Sequence, residues 1–241
     1  MKIRLLLVLL LLGAFPAFAA ESAPPPITKI PLTGFKALFN GKDMKGWHWS
    51  RTVRHGSIGG FRVEQGAMAL YQEIFGQGGL LMSDKRYKDF ELYLEIDMQP
   101  NSPGYNSGIF LRSTESGYGY QVELTGGPVT GNMLVEAIAP LSVPAQNAPE
   151  KFTQAWKTTG WNSIRVRMIG DAPHMTLWLN DVQMWDVQQT SNSQIAGETD
   201  GLIGLQLHWT APTSAAGGNT NLGNTIPQAS VRFRNIFIKE L

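Results

Sequence analysis

Residues 106–113, NSGIFLRS, alternate apolar side chains with side chains of other kinds, as a β-strand does. Residues 118–125, YGYQVELT, and residues 202–209, LIGLQLHW, repeat the pattern. Successive side chains of a strand point to opposite faces of its sheet, so each segment has one aliphatic face. Those aliphatic residues are Ile109, Leu111, Val122, Leu124, Ile203, Leu205 and Leu207. We therefore predict three strands that bury one face in a hydrophobic core.

The opposite face of these segments is polar. It carries Arg112, Gln121, Glu123, Gln206 and His208, and Asn106 begins the first segment. An antiparallel sheet commonly has one solvated polar face, so the alternation is also typical of a plain surface. Such surfaces are rich in Lys, Thr and Ser, whereas Arg, Glu, Gln and His are groups that bind ligands or transfer protons. We interpret the set as a candidate site, with an ordinary solvated face as the alternative.

The rest of the chain also indicates short strands. FRVEQGAMALY is predicted to form a hairpin that turns at Gln65-Gly66, and HMTLWLNDVQMWDV one that turns at Asn180-Asp181. DFELYLEIDM alternates strictly and predicts a strand. Its inward residues are Phe90, Leu92, Leu94, Ile96 and Met98, and its outward residues are Glu91, Tyr93, Glu95 and Asp97. With a short helix expected over 149–156, ten or more strands predict an all-β sandwich or jelly roll.

The first twenty residues, MKIRLLLVLLLLGAFPAFAA, have the pattern of a secretory signal peptide. Lys2 and Arg4 precede an apolar run, and Ala17-Phe18-Ala19 is a small-residue cleavage pattern. Residues 21–33 read as a proline-rich leader, and residues 34–241 are expected to form one domain. We predict an exported protein, most simply of a bacterial periplasm, without a transmembrane segment because the apolar run is too short to span a bilayer.

The expected mature chain is almost neutral. Removing residues 1–20 leaves 18 Lys and Arg against 19 Asp and Glu, a net charge of −1. This balance argues against nucleic acid or an anionic membrane as a partner. The chain has no Cys, so an exported domain of this size must rely on its core rather than on disulfides.

The chain has seven Trp and six Tyr. Aromatic rings either fill a core or stack on flat ligands such as sugar rings. Trp47, Trp49 and Trp209 are placed next to the polar face or its loops. We therefore expect these three, rather than the other tryptophans, to contact a saccharide.

Eight motifs occur in order across residues 35–241. They are FNGKDMKGW, FELYLEI, NSGIFLR, GYQVEL, WNSIRVRMIG, LWLNDVQMWD, GLIGLQLHW and VRFRNIFIKEL. In this order they resemble the 3-keto-disaccharide hydrolase domain family. The resemblance implies a concanavalin/LamG-like jelly-roll sandwich of two curved antiparallel sheets, with a concave ligand face.

The resemblance further implies cleavage of 3-keto glycosides that a separate sugar 3-oxidoreductase supplies. A ketone at C3 acidifies the hydrogen on C2, so a base can remove it and the aglycone can leave from C1. Either Glu123 or His208 is the expected base; an ordinary His titrates near pH 6.5, whereas Glu needs desolvation to raise its pKa. Arg112 is the expected donor to the developing oxyanion. The expected substrate-binding residues are Asn106, Gln121, Gln206, Trp47 and Trp209.

Three further questions stay open in the sequence. The four histidines lack a ligand spacing such as HExxH, but a divalent cation held by Glu123 or Asp97 could replace Arg112 as the electrophile. The alternative function is a non-catalytic, lectin-like carbohydrate-binding module. The glycine-rich loop 210–228 is either a lid over the site or a plain surface loop.

Overall fold

The computed structural model describes residues 33–56, 59–73, 77–99, 106–124, 130–136, 149–208 and 230–241. The expected signal peptide, nearly all of the leader, Trp209 and loop 210–228 lie outside the described residues. The strands are β1 Lys36–Ala37, β2 Trp47–Trp49, β3 Gly60–Glu64, β4 Ala67–Tyr71, β5 Gly79–Tyr87, β6 Phe90–Gln99, β7 Ser107–Ser113, β8 Gly119–Leu124, β9 Met133–Glu136, β10 Asn162–Ile169, β11 His174–Leu179, β12 Val182–Gln188, β13 Gly201–Leu207 and β14 Ser230–Glu240. The helix α1 runs over Pro149–Ala155, where a helix is predicted.

The strands form two antiparallel sheets. One has eight strands in the order β12-β11-β10-β6-β14-β4-β3, with β1 beside β14. The other has six strands in the order β2-β5-β13-β7-β8-β9. All strand pairs in the described residues are antiparallel. The predicted all-β architecture of two antiparallel sheets is thus confirmed.

Both predicted two-residue hairpin turns are present. Gln65 and Gly66 connect β3 and β4 with φ of 48° and 76°, and Asn180 and Asp181 connect β11 and β12 with φ of 48° and 66°. Positive φ at both central residues matches the twist of antiparallel strands, and Asn, Asp and Gly adopt it most easily.

The core lies between the sheets and takes aliphatic side chains from both. The inward residues of β6 are buried as predicted, together with Ile109, Leu111 and Val122 from the six-stranded sheet. The outward face of β6 differs from an ordinary solvated face, because Tyr93 and Asp97 are also buried. On this face Arg232 is ion-paired with Asp97, and Arg234, which is ion-paired with Glu95, stacks on Trp161.

A second, smaller apolar cluster lies on the outer face of the six-stranded sheet. It consists of Leu80, Met82, Phe110 and Leu202. The loop between β2 and β3 brings His55 edge-on to Phe110, with ring centroids 5.0 Å apart. Part of this face is therefore closed to solvent, and the polar residues occupy the remainder. Among the described helices, none is long and apolar enough to cross a membrane.

Candidate functional site

Three adjacent strands, β13, β7 and β8, bring the predicted polar side chains together. Glu123 pairs with Gly108 and Gln121 with Phe110 across β7 and β8. Leu205 of β13 pairs with Ile109, so Gln206 falls one residue further along, level with Gly108. Because side chains alternate along each strand, the polar residues Gln121, Glu123 and Gln206 share the outer face, opposite the core.

Hydrogen bonds join these residues around one carboxylate. Asn106 Nδ2 donates to Glu123 Oε1 over 3.1 Å, and Gln121 Nε2 donates to Oε2 over 3.2 Å. Gln121 Nε2 also lies 3.4 Å from Gln206 Oε1. The Glu123 residue is only 9% exposed. Burying a carboxylate is costly, and hydrogen bonds to its charged oxygens offset part of that cost.

Two buried carboxamide oxygens in the site lack a donor. Asn106 Oδ1 and Gln121 Oε1 accept no hydrogen bond from the part of the chain that the structure describes. Each such acceptor costs about 1–3 kcal/mol. If either amide were rotated by 180°, its oxygen would face the Glu123 carboxylate and be repelled by it. The charge on Glu123 therefore fixes the present orientation of both amides. The site therefore offers acceptors to a ligand rich in hydroxyl groups.

The backbone around Glu123 is held on both sides. Gly131 N donates to Glu123 O over 2.6 Å, and Glu123 N donates to Asn132 O over 2.9 Å. Ser107 Oγ donates to Gln206 O over 2.7 Å and links β7 to β13. A carboxylate placed on paired strands is positioned more accurately than one on a loop, as catalysis requires.

Gly108 occupies the middle of this group. A Cβ atom added there would overlap the Gln121 carboxamide, lying 2.9 Å from its Cδ and closer still to Nε2. The missing side chain thus leaves space for the Gln121 carboxamide, which contacts both Glu123 and Gln206. Sequence reasoning missed Gly108, because its only signal in the sequence is a glycine inside a strand pattern.

We expect Gly108→Ala to weaken ligand binding at this site about 10- to 100-fold while the protein stays folded. The methyl group displaces Gln121 and removes a hydrogen bond to a charged carboxylate, which is worth about 1.5–3 kcal/mol. Saccharide titrations of Gly108→Ala, Gln121→Ala and the double variant test this. If alanine acts through Gln121, the double variant equals Gln121→Ala; additive losses would contradict the explanation.

His208 directly follows β13 and is half-buried. Its carbonyl oxygen accepts a hydrogen bond from Gln72 Nε2 over 3.3 Å. His208 lies two residues after Gln206, so strand alternation predicts that both side chains point to the same face of the sheet. Extending the Leu205–Ile109 register by three residues, one past the end of β13, would set His208 opposite Asn106. This position keeps His208 a candidate for proton transfer next to Glu123.

Arg112 is not part of this group, and the prediction that it shares the face of Glu123 is wrong. Its Nε and Nη1 donate to Lys88 O over 2.7 Å and Gly170 O over 2.8 Å. Its Nη2 lies 3.1 Å from Asp89 Oδ1, and the residue is 1% exposed. The alternation fails because Arg112 has a φ of 48°, where the β7–β13 register shifts. Burial lowers the pKa of Arg112, and Asp89 opposes this effect.

Two further predicted residues lie elsewhere. Trp47 is buried in the main core, where its Nε1 donates to Leu38 O over 2.8 Å, so its predicted contact with a sugar is wrong. Asp97 lies on the outer face of the eight-stranded sheet and is ion-paired with Arg232. It therefore cannot hold a cation together with Glu123. Trp209 lies outside the described residues.

The oxygen atoms of the site can accept hydrogen bonds from hydroxyl groups, and they are also suitable ligands for a hard cation. Within the described ranges, no cluster of three or more Asp, Glu or His side chains is arranged for a metal ion. The Glu123 carboxylate and the oxygens of Asn106 and Gln121 are nevertheless donors that Ca²⁺, Mg²⁺ and Mn²⁺ prefer. A bound cation would supply positive charge near a developing oxyanion.

A histidine between two carboxylates lies at the β2 edge of the same sheet. His48 Nδ1 is 2.7 Å from Asp84 Oδ1, and Nε2 is 3.1 Å from Glu115 Oε2. Burial alone would raise the pKa of Glu115, but hydrogen bonds from Arg51 N and His48 lower it. These contacts attach the β2–β3 loop to the β7–β8 hairpin. Sequence reasoning missed them because the partners are far apart in the chain.

The low pKa of Glu115 predicts pH-dependent stability. A carboxylate with a depressed pKa stabilises the fold above its ordinary pKa of about 4.3, and this stabilisation disappears as the pH falls through the folded value. We expect Glu115→Gln to lower Tm at pH 7 and to match the unmodified protein in strong acid. Thermal unfolding across this pH range, with the exposed Glu73→Gln as control, measures it. A Tm difference independent of pH would contradict the assignment.

Comparison with solved structures identifies the fold class. The chain is similar to a candidate glycosyl hydrolase from Parabacteroides distasonis ATCC 8503, with 20% identity, a TM-score of 0.57, and coverage of 87% of this chain and 94% of that one. A second candidate glycosyl hydrolase of that organism has 16% identity, a TM-score of 0.50, and coverage of 86% and 99%. A sialidase has 10% identity, a TM-score of 0.54, and coverage of 82% and 17%. At these identities the likeness shows the fold, a jelly-roll sandwich.

The sequence itself carries the family assignment. The chain belongs to the 3-keto-alpha-glucoside-1,2-lyase-like domain family, whose profile matches residues 34–239. This membership confirms the predicted family and indicates a carbohydrate-active or carbohydrate-binding domain. A search among curated proteins found no significant match.

Proposed function

We propose that this protein is an enzyme that cleaves 3-keto glycosides, and that Glu123 is its catalytic base. The observation that carries the proposal is the buried Glu123 carboxylate, with a carboxamide donating to each oxygen and, beside it, two acceptors that the described residues leave unpaired. Membership of the 3-keto-alpha-glucoside-1,2-lyase-like family supports the substrate class. A plain solvated sheet face would not bury an acid in this way.

The reaction proceeds by elimination. Glu123 takes the proton from C2, and the C–H electron pair forms an enolate with the C3 ketone. The enolate then reforms the ketone, a C1–C2 double bond forms, and the bond from C1 to the aglycone oxygen breaks. A proton delivered to that oxygen releases the aglycone as an alcohol. Addition of water across the double bond completes a net hydrolysis.

The neighbours of Glu123 take the remaining roles. His208 delivers the proton to the leaving oxygen, since an ordinary imidazole exchanges protons near neutral pH. Gln206 accepts through Oε1, which leaves its amide hydrogens to donate to the enolate oxygen in place of Arg112. Asn106 Oδ1 and Gln121 Oε1 accept hydrogen bonds from sugar hydroxyls. Binding and proton abstraction thus use the same few side chains.

The substrate needs an earlier oxidation at C3. We assign that step to a separate sugar 3-oxidoreductase, because the elimination itself changes no net oxidation state. Export to the periplasm, as the first twenty residues suggest, would place the protein where glycosides enter the cell envelope.

The test uses a 3-keto-glucoside with a chromogenic aglycone, beside the unoxidised glucoside, each with and without a chelator. Release from the keto sugar alone supports the proposal, and loss of release with chelator would assign a cation to the site. Binding of either sugar without release would instead identify a lectin-like binding module.

A further inference from the structure

We infer that the outer face of the eight-stranded sheet carries a second saccharide-binding site, formed by Trp178, Arg165, Tyr93, Ser163 and Asp181. These residues line a cavity of about 170 Å³. The inference takes only its ligand class, a saccharide, from the proposed function.

As in the site around Glu123, the register between neighbouring strands brings these side chains together. Arg165 of β10 pairs with Trp178 of β11 on one side and with Tyr93 of β6 on the other. Ser163 lies two residues before Arg165, on the same face. Asp181 belongs to the tight turn after β11. Four neighbouring segments thus direct their side chains into one cavity.

An aromatic wall and a fixed cation form one side of the cavity. The Arg165 guanidinium lies 4.0 Å from the centroid of the Trp178 ring, and its Nε is 3.0 Å from Glu91 Oε1. The stacking and the ion pair restrict both side chains before a ligand arrives. Because the guanidinium covers one face of the Trp178 ring, this wall of the cavity is polar, and its fixed side chains lower the entropic cost of binding a ligand.

The polar groups include both donors and acceptors. Asp181 is exposed, and its carboxylate accepts no hydrogen bond from the described chain. Tyr93 OH donates to Glu95 Oε1 over 3.1 Å, and burial together with Glu95 raises the Tyr93 pKa, so the hydroxyl stays neutral. Opposite charges on Asp181 and Arg165 disfavour a charged ligand. Adjacent sugar hydroxyls, which both donate and accept, complement this set.

The cavity size limits the ligand to one ring. Pockets for drug-sized ligands measure about 300–1,000 Å³, so about 170 Å³ suits a single pyranose unit rather than an oligosaccharide. Glu123 lies on the outer face of the other sheet, and packed sheets are about 10 Å apart. The second site therefore anchors a glycan without touching the bond that is cleaved.

The test is a ¹⁹F NMR titration of the full chain labelled with 5-fluorotryptophan, with methyl α- and β-glucopyranoside as probes. Trp178→Phe assigns the Trp178 resonance. We expect a saturable shift of that resonance at millimolar sugar. Asp181→Asn should weaken the affinity about tenfold, because it removes a charged hydrogen-bond acceptor. Asn is favoured at this turn position, so the fold is preserved.

Asp186→Asn is the matched control, because it changes an exposed carboxylate on the same sheet outside the cavity. A Trp178 resonance that neither glucoside shifts overturns the inference, as does equal affinity in Asp181→Asn and the unmodified protein. Turnover of the 3-keto-glucoside should be unchanged in Asp181→Asn. Failure of the proposed function removes turnover in every form and leaves the Trp178 titration unaffected, so the two failures are distinguishable.

Discussion

Replacing Glu123 with Gln is expected to reduce kcat for aglycone release about 10²–10⁴-fold, the usual contribution of a positioned general base. The carboxamide keeps the size of the side chain but cannot accept the C2 proton. It also places an NH₂ group toward a donor, either Asn106 Nδ2 or Gln121 Nε2. We therefore expect weaker sugar binding in addition to the loss of turnover.

Glu95→Gln is the matched control, because it removes a carboxylate that is also largely buried but lies on the outer face of the other sheet, 2.6 Å from Arg234. It should change stability rather than kcat. Thermal unfolding of both variants separates folding from chemistry. If Glu123→Gln keeps full kcat while His208→Ala loses it, His208 is the base and our assignment of the two roles is reversed.

Alternation predicted that Gln121, Glu123 and Gln206 point away from the core, and the position of β13 beside β7 in the sheet brings them together. The reason is physical: a regular strand fixes side-chain direction with a period of two, and the polar face of three adjacent strands is continuous. The two hairpin turns were equally predictable, because Gly66, Asn180 and Asp181 tolerate positive φ. Fold class and much of the candidate site therefore follow from local rules.

Alternation misled where the backbone leaves the regular strand. Arg112 has a positive φ at a register shift, which turns its side chain away from the polar face. Trp47 lies on a three-residue edge strand, too short for a period to show which side is buried. The sequence predicted that the outward face of β6 is polar. It did not predict that Trp161 and Arg234 stack over this face. These outcomes depend on contacts between distant segments.

Arg112→Met is expected to lower the free energy of unfolding by about 2–6 kcal/mol, mainly because two backbone acceptors lose their donor at about 1–3 kcal/mol each, while Asp89 is partly exposed and contributes less. Lys88 O and Gly170 O lose their donor, and Asp89 loses its cation. For a domain of this size, Tm should fall by about 10 °C. The Tm of Arg112→Lys should lie between those of Arg112→Met and the unmodified protein, because one ammonium group cannot reproduce the planar guanidinium that donates to these acceptors.

The measurement also decides between a structural and a catalytic Arg112. If Arg112 were an oxyanion donor, its replacement would lower kcat and leave Tm almost unchanged. If Arg112 joins the β5–β6 and β10–β11 turns, its replacement should lower Tm and leave kcat almost unchanged. Arg86→Met is the matched control, since Arg86 is more exposed and pairs with Asp200 at 3.0 Å on the surface. A surface pair contributes about 0–1 kcal/mol. A Tm loss for Arg112→Met no larger than that for Arg86→Met would contradict the structural role.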